Sequence, residues 1–329
     1  MTPFQQALVD AIKANGPMPL DAFMDACNAY YYATRDPFGT DGDFTTAPDI
    51  SQMYGELIGA ALAEAWVRAG RPDGVRYAEL GPGRGTLAAD ALRVMRSAGC
   101  VPASVEFVET SPLLREKQTE AVPGAIFHDG IEGLAAGNGP LLLVASEFFD
   151  ALPVVQTVGG YERRVEWIGG HFTFDRDGEI VETSPARAEA MAQLARLLQA
   201  KGGVGIVVDY GHGEADAAGE TLQALKGHRF ANPLEQPGEQ DLTAHVDFAA
   251  LGAAARAEGA LVSRLASQGS WLETLGIGGR AMALAAKNPE RTEEIAAARR
   301  RLCDEGEMGR LFKVMGVAGG GWPLPAGLA

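Results

Sequence analysis

A short apolar strand pattern that runs directly into a glycine-rich turn constrains this chain more than any other feature. Residues 75–80 are β-compatible, residues 81–85 carry three glycines, and residues 87–95 then place apolar side chains at helical spacing. Glycines let the backbone turn sharply and let a ligand approach without a Cβ in the way. In an open parallel sheet such a turn lies at the carboxyl end of a strand, where ligands bind. The stretch therefore predicts a strand, a ligand-binding turn and a helix of an α/β fold.

The spacing of the glycines separates this turn from the dinucleotide-binding pattern G-x-G-x-x-G. Gly81 and Gly83 fit that pattern, but the third glycine, Gly85, falls one residue early and Thr86 takes its place. With Glu79 at the strand end, the run E-x-G-x-G-x-G resembles the first motif of class I S-adenosylmethionine-dependent methyltransferases. A tight turn in another kind of α/β protein is the alternative explanation. The spacing disfavours an NAD-dependent oxidoreductase.

The following sequence alternates between apolar strands and helical patterns. Further strands are predicted at residues 105–109, 125–127, 141–145 and 205–208. Residues 141–145 are continuously apolar, which is typical of a central parallel strand that is buried on both faces. The order predicts a doubly wound, mostly parallel sheet.

Other stretches depart from this alternation. Residues 154–183 alternate with glycine turn pairs and predict inserted antiparallel strands, and residues 211–245 predict an irregular insertion. Ahead of the sheet, two helical patterns precede residues 30–48, which are predicted to be mostly loop. We expect these added segments to pack together over one edge of the sheet.

These patterns also predict the domain organisation. A helical N-terminal segment with a lid loop is expected over residues 1–72, and the core over residues 73–329. Insertions into the core are expected at about 153–184 and 211–245.

Composition limits the partners and the location of the protein. Its formal net charge of −15 argues against nucleic acid or an anionic membrane as the main partner, and is compatible with a basic peptide. Cys27, Cys100 and Cys303 have no paired spacing, so neither a disulfide framework nor a metal site is expected. The N-terminal residues lack signal-peptide and transit-peptide patterns, and no apolar run reaches the roughly 18 residues of a membrane span. A cytoplasmic protein is the prediction.

Carboxylates follow the predicted strands at the positions where a nucleoside cofactor binds. Glu109 ends the second strand and can accept both ribose hydroxyls. Glu79 can hold the amino group of the cofactor's methionine, with a buried strand-end ion pair as the alternative. Asp129, after the third strand, can meet the adenine amino group.

A second group of carboxylates follows the fourth strand, where a doubly wound fold places the reacting group. Glu147 and Asp150 can hold a guanidinium through its fork of donors. Alternatively, Asp150 caps a short helix and Glu147 alone faces the pocket. His245 can orient a carboxylate or move a proton near neutral pH. Alternatively, Asp241 and Thr243 cap the helix that follows, and His245 has no role in the site. Asp209, after the fifth strand, is a further candidate.

Several motifs together resemble those of one family. GDFTTAP, ELGPGRGTL, FVETSP, SEFFDALPV, DYGH and DLTAHVDF occur in this order along nearly the whole chain. They are similar to the MidA-type family of S-adenosylmethionine-dependent methyltransferases, which is related to the arginine methyltransferase of mitochondrial complex I assembly. The resemblance implies a class I, Rossmann-like methyltransferase core with added segments.

The resemblance also implies site residues and a substrate. It places S-adenosylmethionine at Glu79, Gly81, Gly83, Gly85 and Glu109, and it suggests symmetric dimethylation of an arginine in a core subunit of NADH:quinone oxidoreductase. The polar segment that contains Asp43, Phe44, Thr45 and Thr46 is expected to form a lid that contacts the substrate. A non-catalytic assembly factor that binds the cofactor for stability is the alternative. Whether the protein is a monomer or a homodimer stays open.

Overall fold

The computed structural model describes residues 1–37, 45–213, 219–227 and 229–328. The predicted site residues Asp43 and Phe44 lie outside these ranges. The helices are α1 Pro3–Asn15, α2 Leu20–Thr34, α3 Ala47–Ile50, α4 Gln52–Arg68, α5 Thr86–Ser97, α6 Pro112–Ala121, α7 Pro185–Lys201, α8 Phe248–Ala257, α9 Gln268–Thr274, α10 Ile277–Lys287, α11 Thr292–Cys303 and α12 Met308–Leu311. The strands are β1 Met18–Pro19, β2 Arg76–Leu80, β3 Ser104–Val108, β4 Ile126–His128, β5 Leu141–Ser146, β6 Val155–Val158, β7 Tyr161–Glu162, β8 Arg164–Ile168, β9 His171–Phe174, β10 Ile180–Thr183, β11 Gly203–His212, β12 Gln223–Lys226, β13 Arg229–Ala231, β14 Asp241–Thr243, β15 Val246–Asp247, β16 Leu261–Val262, β17 Ala266–Ser267 and β18 Phe312–Gly319.

A mostly parallel sheet forms the centre of the molecule. Strands β4, β3, β2, β5 and β11 lie side by side in that order and are parallel. Antiparallel β18 continues the sheet beside β11 and pairs in turn with β16 and β17. The chain order reverses between β2 and β5, so their carboxyl ends form the switch point at which open α/β sheets bind ligands. The predicted doubly wound α/β sheet is confirmed.

The two faces of this sheet are covered by different helices. Leu142 and Val144 of β5 belong to a buried cluster with α4 and α5, whereas Leu141, Leu143 and Ala145 belong to a cluster with α7 and α8. Side chains alternate across a strand, so both faces of β5 are buried. This burial explains the continuous apolar run in the sequence.

A second layer, which we call the cap, consists of α1, α2 and the small sheets built from the inserted strands. Its buried cluster includes Leu8, Phe23, Val165 and Leu242. Asn28 of α2 joins the cap to the turn after β5, because its Nδ2 donates to the carbonyls of Ala151 at 3.0 Å and Leu242 at 2.7 Å. The added segments pack together as expected, but they contact the carboxyl end of β5 rather than a sheet edge.

Several predicted boundaries were wrong. Helix α2 continues to Thr34 through tyrosines that were predicted as loop, because Tyr31 is fully buried on that helix. The inserted strands of residues 154–183 are antiparallel as predicted, but they are divided between the sheets β10–β6–β7 and β1–β8–β9, since β1 pairs with β8. The insertion predicted as irregular contains the sheet β13–β12–β14. Helix α10 was not predicted, because Gly278 and Gly279 weaken its helical pattern.

Two kinds of feature are absent from the ranges that the structure describes. Among the residues the structure describes, no helix is both long and apolar enough to cross a bilayer. In the same ranges, no group of three or more His, Cys, Asp or Glu side chains is arranged to hold a metal ion.

Candidate active site

The glycine-rich turn after β2 adopts a backbone that favours glycine at each of its three glycine positions. The φ angles of Gly81, Gly83 and Gly85 are 60°, 55° and 80°, in the left-handed region that glycine enters without steric cost. A Cβ on Gly81 would lie 3.2 Å from the ring of Phe148. Helix α5 begins directly after Gly85 with no side-chain cap, so its first N–H groups can meet a polar ligand.

A large cleft opens beside this turn, between the central sheet and the cap. Its volume is about 650 Å³, within the range of roughly 300–1,000 Å³ typical of small-molecule sites. Its lining residues include Gly81, Gly83, Val108, Glu109, Asp129, Gly130, Ile131, Glu147, Phe148 and Leu152. The cleft therefore follows the carboxyl ends of β2, β3, β4 and β5.

Glu109 is held in a fixed orientation on the wall of this cleft. Its Oε1 accepts a hydrogen bond from the N–H of Ser111 at 2.8 Å, and its Oε2 accepts from Nε2 of Gln118 at 3.1 Å. The same Nε2 donates to the carbonyl of Gly83 at 2.7 Å, which ties Glu109 to the glycine turn. Within the described residues, the buried Oε1 of Gln118 has no hydrogen-bond partner. Burial raises the pKa of Glu109.

Asp129 lines the opposite part of the cleft and is far more exposed. Its side chain is 87% accessible, and its Oδ1 accepts from Nη2 of Arg115 at 2.6 Å. A ligand amino group would therefore compete with Arg115 and with water for this carboxylate.

A second, smaller pocket continues from the cleft beneath the cap, and we call it the acidic pocket. Its lining residues include Tyr32, Thr46, Asp49, Glu79, Gly81, Gly83, Arg84, Ser146, Glu147, Asp150, Tyr210 and Asp241. Gly81, Gly83, Glu147 and Tyr32 line both spaces. A ligand in the cleft and a cationic group in the acidic pocket would thus meet beside Glu147.

Glu79 contributes a buried carboxylate to the floor of the acidic pocket. Its Oε2 accepts a hydrogen bond of 2.5 Å from the hydroxyl of Tyr77. Burial raises the pKa of Glu79 to about 8, although the tyrosine bond acts in the opposite direction. A cationic ligand group beside Glu79 would favour its ionised form.

Glu147 has the most unusual backbone of the candidate residues. It is a non-glycine residue with a φ of 53°, a conformation that costs energy and often marks a functional site. Its N–H donates to the carbonyl of Val208 at 2.9 Å, and its Oε1 accepts from the N–H of Ala47 at 3.2 Å. Burial and the neighbouring charge of Asp150 raise the pKa of Glu147 to about 8.

Asp209 lies behind this turn and supports it. Its side chain is fully buried, and its Oδ2 accepts from the N–H groups of Phe149 at 3.0 Å and Asp150 at 3.2 Å. Asp150 lines the acidic pocket, and its carboxylate also accepts bonds from the N–H of Ala151 and the hydroxyl of Tyr210. Asp150 therefore caps the turn and also lines the pocket, and its contact with a guanidinium stays a prediction.

The structure does not bring His245 to Glu147. His245 lines a separate cavity with Glu182, His212 and Asp247, and the ring of Tyr210 lies edge-on to it at 5.6 Å. Burial lowers the pKa of His245. A direct substrate contact for His245 in the acidic pocket is inconsistent with this position.

Of the predicted lid residues, only Thr45 and Thr46 fall in the described ranges. Thr46 lines the acidic pocket, and its hydroxyl donates to Asp49 at 3.1 Å. The next residue, Ala47, supplies the N–H that holds Glu147. A lid that contacts the substrate stays a prediction.

Tyr32 and Asp241 complete the acidic pocket and were not predicted as site residues. The hydroxyl of Tyr32 donates to Oδ1 of Asp241 at 2.9 Å. Both residues come from the cap, in stretches predicted as loop or irregular structure, so no periodic pattern pointed to them. The DLT run in the sequence was interpreted only as a helix-capping signal near residue 245.

Comparison with solved structures defines the class of protein. The chain is similar to a likely methyltransferase from Burkholderia thailandensis bound to S-adenosyl-homocysteine, with a TM-score of 0.85 and 26% identity over 96% of this chain and 92% of that one. The fold is thus the Rossmann-like fold of class I methyltransferases, and the protein is an enzyme that uses S-adenosylmethionine.

Comparison of sequences identifies the family. A family model described as "Putative S-adenosyl-L-methionine-dependent methyltransferase" matches residues 57–172 and 161–265. The chain belongs to this family.

Curated relatives cover most of the chain. The protein arginine methyltransferase NDUFAF7 homolog of Drosophila melanogaster, a mitochondrial protein, is 32% identical over 93% of this chain and 82% of its own length. The mitochondrial NDUFAF7 proteins of Xenopus laevis and Homo sapiens are 31% and 30% identical, over 94% and 88% of this chain and 83% and 77% of their own lengths. The prediction of a cytoplasmic protein is wrong, because these relatives are mitochondrial.

The raised pKa values of Glu79 and Glu147 predict a pH dependence of stability without ligand. Both rise from an ordinary 4.5 to about 8 in the folded protein. Between these values the folded state keeps protons that the unfolded state loses, so stability falls as pH rises, by about 1.4 kcal/mol per pH unit for each group. Glu147→Gln removes one of these contributions.

The free energy of unfolding in urea, measured at pH 5 and pH 8, tests this pH dependence. We expect the free energy of unfolding of Glu147→Gln, taken relative to that of the wild type, to be higher at pH 8 than at pH 5. Glu64→Gln, on a side chain that is 42% exposed, is the control and should follow the wild type. Parallel pH profiles of Glu147→Gln and the wild type would contradict the assignment.

Proposed function

We propose that this enzyme methylates an arginine side chain of a protein, and that it forms symmetric dimethylarginine in a core subunit of NADH:quinone oxidoreductase. The names of the curated relatives support an arginine substrate. The observation that carries the proposal is the position of Glu147, which lines both the cleft beside the glycine turn and the acidic pocket. A cofactor in the first space and a guanidinium in the second would meet at this residue.

The residues of the cleft fit S-adenosylmethionine. Glu109, with both oxygens already oriented, would accept the ribose hydroxyls. Glu79, which lines the adjoining acidic pocket, would hold the ammonium of the methionine part. The open glycine turn leaves room for a cofactor to approach the backbone, and Asp129 would lie at the adenine. The buried Gln118 oxygen, which has no partner within the described residues, can accept a bond beside Glu109. These assignments are proposals that rest on the chemistry of the donors and acceptors.

When bound, the cofactor supplies an electrophilic methyl group, so the protein's main task is alignment and exclusion of water. Glu147 would hold the guanidinium by charge-assisted hydrogen bonds, which are stronger than neutral ones. It would localise positive charge away from the attacking nitrogen. The newly methylated nitrogen must lose a proton. The carboxylate of Glu147, whose pKa is raised, is suited to accept this proton.

The surrounding polar residues would keep Glu147 in place. Asp209 holds the N–H groups of the turn after β5, and Nη2 of Arg187 donates to the carbonyl of Asp150 at 2.8 Å. Burial raises the pKa of Asp150 and of Asp209, and the charge of the buried Arg187 opposes this rise. A carboxylate pocket supported in this way would remain ordered before the substrate arrives.

Intact-mass analysis of respiratory-chain subunits tests the proposed substrate. Cells that contain the protein are expected to show a core subunit heavier by two methyl groups than the same subunit from cells without it. Restoring the wild-type protein should restore the mass increment, and restoring Glu147→Gln should not. Identical subunit masses with and without the protein would contradict the proposed substrate.

A further inference from the structure

We propose that Asp241 is the second carboxylate of the substrate pocket and that, together with Glu147, it selects a guanidinium over an ammonium. This inference rests on the proposed arginine substrate. It assigns to the cap a direct part in choosing the side chain that is methylated.

Asp241 reaches the pocket from a different layer than Glu147. Glu147 follows β5 of the central sheet, whereas Asp241 begins β14 of the cap, where it pairs with Leu225 of β12. Asp241 is only 4% exposed, yet it lines the acidic pocket. The two carboxylates therefore approach one space from the core and from the cap.

The cap holds Asp241 through Tyr32. The Tyr32 hydroxyl donates to Oδ1 of Asp241 at 2.9 Å, and the Tyr32 carbonyl accepts from the Ser111 hydroxyl at 2.7 Å. Ser111 in turn donates its N–H to Glu109. Tyr32 and Ser111 thus connect Asp241 to Glu109 on the wall of the cleft, so the position of this carboxylate is fixed relative to that wall.

The carboxylates that line the acidic pocket favour a cation with hydrogen-bond donors on more than one side. Asp49, Glu147, Asp150 and Asp241 all line it, while Arg84, which also lines it, is engaged with Asp36 at 2.9 Å. A guanidinium is planar and presents five N–H donors along its edges, whereas an ammonium is a compact point charge. One carboxylate from the central sheet and one from the cap can bind two edges of a guanidinium together, and this would distinguish it from an ammonium.

The test measures methyl transfer to a core subunit of NADH:quinone oxidoreductase from cells without the enzyme, and to the same subunit with lysine in place of the arginine that becomes methylated. We expect the wild type to methylate arginine and to leave lysine unmodified. Asp241→Asn should raise KM for the arginine subunit roughly ten- to hundredfold, as for loss of a charge-assisted hydrogen bond, with kcat changed much less. Affinity for S-adenosylhomocysteine should be unchanged.

Two further variants keep the test decisive. Tyr32→Phe keeps the carboxylate of Asp241 but removes the hydroxyl that donates to it, so it should raise KM for the arginine subunit by a smaller factor. This variant tests the proposal even if Asp241→Asn fails to fold. Glu235→Gln, on an exposed residue of the same inserted segment, should behave as the wild type.

The failures can be told apart. If Asp241→Asn and Tyr32→Phe fold and keep the wild-type KM, the role of Asp241 is refuted and the proposed function stands. If the wild type transfers no methyl group to arginine, the proposed function fails and the inference fails with it.

Discussion

Glu147→Gln is expected to reduce methyl transfer by roughly 10²- to 10³-fold, the usual effect of removing one preorganised electrostatic group at a reacting centre. Glutamine keeps the size of the side chain and can still accept from the N–H of Ala47. It cannot ionise, so it neither localises the charge of a guanidinium nor accepts the proton that leaves the attacking nitrogen. Turnover under saturating cofactor is the measurement.

Cofactor binding separates this effect from a general loss of structure. The glycine turn and Glu109 are untouched by Glu147→Gln, so calorimetry should give nearly the wild-type affinity for S-adenosylhomocysteine. The exposed Glu64→Gln should keep full activity. A Glu147→Gln protein with wild-type turnover would remove Glu147 from the mechanism, and Asp150 and Asp241 would be the next carboxylates of the pocket to test.

Gly83→Val is expected to abolish cofactor binding. A β-branched residue is a severe outlier at the φ of 55° that Gly83 adopts. Gly83 itself lines both the cleft and the acidic pocket, so a valine side chain there would also intrude on the binding space. Calorimetric titration with S-adenosylhomocysteine should therefore show no binding.

The chain offers a matched control for backbone strain in this experiment. Gly99 also has a left-handed backbone, with a φ of 80°, and a Cβ there would meet nothing within 4 Å. Gly99→Val should lower the melting temperature in a comparable way but keep cofactor affinity. Equal loss of binding in both variants would show that strain, rather than the position of Gly83 in the cleft, is responsible.

The sequence predicted the parts of the molecule that depend on local pattern. The run at residues 141–145 and the glycine turn identified the buried strand and the switch point, because burial on both faces and positive φ angles each leave a clear signature. Glu79, Glu109 and Glu147 could be found because they directly follow or end such strands.

The remaining features depend on contacts between distant segments. Tyr32 and Asp241 meet through a hydrogen bond between residues 209 positions apart, and no local periodicity encodes such a pair. His245 lies within a motif that resembles the family, yet its ring packs against Tyr210 and lines a separate cavity. The composition could not predict the location of the protein, because a net charge and three cysteines do not specify a compartment.

Transfer of an isotope-labelled methyl group from S-adenosylmethionine to the purified core subunit tests the central claim most directly. The subunit is taken from cells without the enzyme, treated with the purified protein, and hydrolysed to amino acids. We predict that the label appears in symmetric dimethylarginine and that Glu147→Gln abolishes it. Label in another residue, or no transfer by a protein that binds S-adenosylhomocysteine, would contradict the account.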